Sequence, residues 1–142
     1  MKMVIIDDDP ESAEHLKNML LQMGHEVKVA NNPRDICEMI KEKQGCTRKS
    51  PCCDLAFIAF TLPGINGLEL ANLMLMNGCK GAAKNKVILG EYLHQFFSPE
   101  TLEDLAKQYD FWYLAKPVNK KALENLLEEF VSVTELVSCD KE

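Results

Sequence analysis

The stretch Leu55-Ala56-Phe57-Ile58-Ala59-Phe60 is apolar at every position. Such a run is short for a buried helix and suits a strand with no face in water. A strand of that kind belongs in the middle of a parallel sheet covered by helices on both sides. The rest of the chain then has to supply those helices and the neighbouring strands.

It does so in alternation. Val4-Ile5-Ile6 reads as the first strand, and Asp9-Pro10 as the start of a helix, with a capping carboxylate followed by proline at the first helical position. Leu16, Met19, Leu20 and Met23 recur at helical spacing until Gly24 ends the run. Val27 to Ala30 forms the second strand. Asn32-Pro33 repeats the cap signal, and Ile36, Met39 and Ile40 mark the inner face of a second helix. After the central strand come a helix over about 67–77, a strand at Val87-Ile88-Leu89, and a helix capped by Ser98-Pro99. A strand at about Phe111–Ala115 and a helix from near Asn119 complete the series. Leu123, Leu126, Leu127, Phe130 and Val131 line the inner stripe of that last helix. Five strand–helix units with right-handed crossovers predict an α/β fold, a flavodoxin-like (βα)5 three-layer sandwich with parallel strand order 2-1-3-4-5. Residues 1–137 are expected to form one domain and 138–142 a flexible tail, with 41–53 a long surface loop.

With 142 residues the chain can bury a sizeable core. A net charge of −6 argues against a nucleic-acid surface, which needs a basic patch. No apolar run approaches the roughly 18 residues of a membrane span, so no membrane partner is expected. The apolar start Met3-Val4-Ile5-Ile6 is too short for a signal peptide, and the expected location is cytoplasmic. Of the six cysteines, Cys46, Cys52 and Cys53 share one polar segment, but no CxxC pair appears. Free thiols are the plain expectation. A thiol- or metal-responsive sensor built on Cys46, Cys52 and Cys53 is the alternative.

Ligands of open parallel sheets sit beyond the carboxyl ends of the strands. That edge gathers Asp7, Asp8 and Asp9 after the first strand, Ala59 at the end of the third, and Lys116 after the fifth. Three features stand in order along the chain. They are Asp7-Asp8 after Val4-Ile5-Ile6, the loop Leu62-Pro63-Gly64-Ile65-Asn66-Gly67, and Tyr113-Leu114-Ala115-Lys116-Pro117. Over roughly residues 2–130 this pattern resembles the response-regulator receiver domain of two-component systems.

The resemblance implies a site and its chemistry. Asp7 and Asp8 match the family's magnesium-binding pair, Lys116 the phosphate-contacting lysine, and Tyr113 the switch aromatic. Lys116-Pro117 is expected to be cis. Magnesium requires oxygen ligands, and metal and lysine together neutralise a transferring phosphoryl group. The family's acceptor aspartate stands four residues before the Pro-Gly, and here that position is Ala59. Its strand-four serine or threonine is replaced by Gly90 or Glu91. A methyl group cannot carry an acyl phosphate, so the pocket of Asp7, Asp8, Ala59 and Lys116 is expected to be degenerate. It would hold no catalytic residue and no cofactor beyond weak Mg²⁺ at Asp7 and Asp8. Asp54, five residues before Ala59 and roughly 16 Å away at about 3.3 Å per residue, is too far to substitute. Lys116 is expected to pair with Asp8, or with Glu91. Asp9 is expected only to cap its helix.

The resemblance therefore implies a phosphorelay protein that is not an enzyme and acts through protein–protein interaction. Its partner would be a histidine kinase, another regulator, or a second copy in a homodimer. The alternative is a phosphoacceptor using an unorthodox carboxylate. The expected interaction face is the fourth helix, fifth strand and fifth helix, with Tyr109, Trp112 and Tyr113 on it. Tyr92, Phe96 and Phe97 lie in the loop before, and Phe96 and Phe97 are expected to pack in the core. Trp112→Ala is expected to weaken assembly with little loss of fold.

Overall fold

Helix-starting caps and strand runs set the layout of the computed structural model. It describes residues 1–32, 52–76, 78–79, 81, 84–90 and 97–140, with 134–140 by backbone alone. The elements are β1 (Lys2–Ile6), α1 (Pro10–Gln22), β2 (Glu26–Ala30), β3 (Leu55–Ala59), β4 (Thr61–Leu62) and β5 (Ile65–Asn66). They continue with α2 (Gly67–Met76), β6 (Lys86–Gly90), α3 (Pro99–Tyr109), β7 (Trp112–Ala115) and α4 (Lys120–Asp140). The second helix expected after Asn32, and Cys37, Cys46, Glu91, Tyr92 and Phe96, lie outside the described residues.

The main sheet runs β2-β1-β3-β6-β7, parallel throughout. This is the 2-1-3-4-5 order that the sequence predicts. β3 is buried at all five positions. Its alternation sends Leu55 and Phe57 to one face and Ala56 and Ile58 to the other. The first face packs on Leu16 and Leu20 of α1 and Leu123 and Phe130 of α4. The second packs on Leu70 and Met74 of α2 and Leu102 of α3. Two cores flank one sheet, which makes the three-layer sandwich.

The helix signals act as written. Asp9 accepts hydrogen bonds from the Glu11 and Ser12 N–H groups, and Gly24 follows α1 at φ +89°. Ser98 accepts from the Thr101 N–H at 3.2 Å. Asn119 Oδ1 accepts from Lys121 at 2.8 Å and Ala122 at 3.2 Å at the start of α4. The last helix continues to Asp140, three residues beyond Val137, so it takes in most of the stretch expected as a tail.

One element went unread in the sequence. Thr61 pairs with Asn66 and Leu62 with Ile65 in a two-residue antiparallel ribbon. Pro63-Gly64 closes it, with Gly64 at φ +78°. Proline followed by a glycine of positive φ is the signature of a type II turn.

Candidate functional site

Asp7 follows β1 directly, and its N–H is tied to the Ala30 carbonyl at 3.1 Å. Pairing of Ile6 with Ile58 sets Asp7 level with Ala59, at the end of β3. Ala59 pairs with Leu89, and Gly90 with Ala115, the residue before Lys116. The carboxyl edge of the sheet thus presents Asp7, Ala59, Gly90 and Lys116 in spatial order. Gly90, the last residue of β6, carries no hydroxyl, and Glu91 lies outside the described residues.

Lys116 Nζ donates to Asp7 Oδ2 at 2.7 Å. The other oxygen, Asp7 Oδ1, accepts from the Asp9 N–H at 3.0 Å. Asp7 is 1% exposed, so this is a buried pair, and both carboxylate oxygens are engaged. The expected pairing of Lys116 with Asp8 is therefore corrected: Asp8 is exposed to solvent and Asp7 takes the lysine. The physical reason lies in the sheet. Asp7 extends the buried edge of β1. The ends of β3 and β6 between it and β7 carry only a methyl and a hydrogen, which leaves the lysine room to reach it. Asp9 is confined to capping α1, as expected. Lys116-Pro117 is cis.

Gly67 explains part of the loop's sequence. Its N–H donates to the Phe60 carbonyl at 2.8 Å. A Cβ there would collide with the Ala59 carbonyl oxygen and crowd Ile58 Cγ2. The loop closes down over the end of β3 because position 67 has no side chain.

The donor set fits magnesium poorly. An octahedral oxygen site would draw on Asp8 and on an Asp7 whose two oxygens are already engaged, with the Ala59 side chain offering no oxygen. Among the described residues no group of three or more His, Cys, Asp or Glu side chains is arranged to hold a metal ion. Asp54 precedes β3 at the opposite edge of the sheet, exposed and accepting from the Lys2 N–H at 2.8 Å.

Neighbouring residues of β7 point to opposite sides of the sheet, yet Trp112 and Tyr113 both line its open edge. Tyr113 and Tyr109 pack against the core under α2 and α3. Trp112 packs on the other core, edge-on to Phe130 with ring centroids 5.4 Å apart. It is half-buried. Phe97 packs edge-on against Phe60 at 6.0 Å, within the core as expected. A groove of about 820 Å³ remains at the open edge of β7 between α3 and α4, lined by Glu103, Lys107, Trp112, Asn125 and Glu129 among others.

The family model described as the response regulator receiver domain matches residues 3–128. The chain belongs to that family. A search of curated proteins finds no match. Solved structures agree on the fold. The Vibrio cholerae chemotaxis protein CheY4 superposes with a TM-score of 0.66 at 19% identity, covering 91% of this chain and 97% of that one. A CheY-like receiver domain protein from Methanospirillum hungatei gives 0.65 at 25% identity, covering 94% and 95%. The Thermotoga maritima response regulator TrrA, solved with Mg²⁺-BeF, gives 0.63 at 25% identity, covering 91% and 97%. Among the described residues no helix is long and apolar enough to cross a membrane.

Proposed function

We propose that this receiver domain of two-component signalling accepts no phosphoryl group and works by binding a protein. The observation that carries the reading is Ala59. It ends the central strand at 1% exposure, where no nucleophile is available to attack a phosphoryl donor. The Lys116–Asp7 pair strengthens it, because the charges that would manage magnesium and phosphate neutralise one another instead. The domain is then not an enzyme, and it needs no cofactor, Mg²⁺ binding only weakly. The unorthodox-acceptor alternative gains nothing from Asp54, which sits at the far edge of the sheet.

The binding face we favour is the groove between α3 and α4 over β7, and the partner is a histidine kinase, another regulator or a second copy, met in the cytoplasm. Trp112 supports this as an aromatic anchor at the groove floor. The deciding test is incubation with acetyl phosphate and Mg²⁺ followed by intact-mass analysis. An unchanged mass is expected. A stoichiometric gain of one phosphoryl group, labile to mild alkali, would overturn the reading.

A further inference from the structure

The amino edge of the sheet, opposite the degenerate pocket, gathers sulfur from two parts of the chain. Cys52 and Cys53 enter β3, while Cys79 follows α2, its N–H bonded to the Met74 carbonyl at 2.9 Å. None of the three is in a disulfide, and all belong to or pack against one hydrophobic cluster, Cys53 and Cys79 buried and Cys52 only half so. Cys79 lies close enough to Cys53 to interact with it electrostatically, and Gly81, two residues further on, abuts Cys52. A Cβ at Gly81 would sit 3.1 Å from both Cys52 Sγ and the Cys52 backbone nitrogen, and 3.3 Å from the Cys53 nitrogen. The backbone at Gly81 is therefore laid directly against Cys52 and Cys53. The sequence grouping of Cys46, Cys52 and Cys53 missed Cys79, 26 positions beyond Cys53.

We propose that Cys52 and Cys79 form a peroxide-oxidised dithiol site, with Cys52 as the entry thiol and Cys79 as the resolving one. This inference is independent of the phosphorylation reading. Cys52 is the member that solvent reaches. Its neighbour Cys53 shares a side-chain hydrogen bond with it, and that bond together with burial holds the Cys53 thiol strongly protonated. A protonated, buried Cys53 is a poor nucleophile but a usable S–H donor to the Cys52 sulfur. Cys79 has a cation in range: Lys86, buried at the start of β6, interacts electrostatically with Cys79 and Asp110.

The chemistry balances with hydrogen peroxide as oxidant. The Cys52 thiolate attacks one peroxide oxygen, an S–O bond forms, the O–O bond breaks, and hydroxide leaves to become water. The Cys79 sulfur then attacks Cys52 Sγ. An S–S bond forms, the S–O bond breaks, and a second hydroxide leaves with the thiol proton as water. The two sulfurs supply the two electrons that reduce the peroxide.

The test is peroxide treatment of the full-length chain, alkylation of the remaining thiols, and peptide mapping by mass before and after reduction. The expected result is a reducible cross-link joining the Cys52 and Cys79 peptides, lighter by two hydrogens than the separate thiols. Cys52→Ser should abolish it, and Cys53→Ser should leave it. Full alkylation of Cys52 after peroxide, or a cross-link from Cys52 to any other cysteine, overturns the proposal. The wild-type map decides this even where a serine variant fails to fold.

Discussion

A methionine at position 116 would keep most of the length and the apolar stem of the lysine while removing its charge. Asp7 would retain the Asp9 N–H but lose its ammonium partner. Removing one member of a buried pair costs about 3–5 kcal/mol, and the slight exposure of Lys116 places Lys116→Met at the low end, about 3 kcal/mol by urea denaturation. The released carboxylate also becomes a better cation ligand. Millimolar Mg²⁺ should recover part of the lost stability in Lys116→Met while leaving the wild type almost unmoved. A variant as stable as wild type, or equally insensitive to magnesium, would mean that the pair does not hold the pocket closed. Gly67→Ala tests the loop above it. The added methyl meets a backbone carbonyl that cannot rotate aside, and overpacking of this kind costs about 2 kcal/mol, again read from urea midpoints. Residue identities at this site were legible in the sequence, because the family's spacing places Asp7, Ala59 and Lys116 on one edge. The choice of Asp7 over Asp8 was not, because it depends on how far a lysine reaches across the ends of two strands with almost no side chain.

The elements were the most legible scale. β3 declares itself by being apolar on both faces, and α1 and α3 by an Asp-Pro and a Ser-Pro that cap them as a sequence reader would expect. The β4–β5 ribbon escaped because two-residue strands carry no periodicity, and only the Pro63-Gly64 turn betrays it. The packing of Trp112 on Phe130 escaped for a different reason: the tryptophan lies on an edge strand, where period-two alternation does not say how far each face is covered. Its contact with Phe130 changes what mutation should do. Trp112→Ala should cost about 2 kcal/mol, below the full core value because the ring is only half-buried. A loss of assembly in that variant would therefore confound binding with folding. Glu103→Arg, exposed on α3 at the groove's rim, is the cleaner probe. It should leave the melting temperature within a degree or so while shifting any concentration-dependent dimer seen by sedimentation toward monomer. Self-association that survives Glu103→Arg would move the interface elsewhere. A wild type that stays monomeric at every concentration would turn the search to a different protein.

Taken whole, the molecule has two unlike sheet edges, and charge is buried at both. At the carboxyl edge Asp7 and Lys116 neutralise each other at 2.7 Å. At the amino edge Lys86 is 1% exposed at the start of β6. Burial pushes its ammonium below the ordinary lysine value of 10.5, and nearby Asp110 and Cys79 offset only part of that. The consequence is a pH dependence with a definite sign. The unfolded chain holds the Lys86 proton more tightly than the folded one. Over the window from the lowered folded value up to 10.5, raising the pH therefore strips a proton that opposes folding, and the contribution of Lys86 to stability rises. Below that window the folded protein bears the full cost of a desolvated ammonium. Lys86→Met, similar in volume and without charge, removes this ammonium from the comparison. Urea unfolding of both proteins at neutral pH and near pH 10 is the measurement. The stability of the wild type relative to Lys86→Met should increase with pH. A decrease would show that Asp110 outweighs burial and holds the folded lysine charged more firmly than water does.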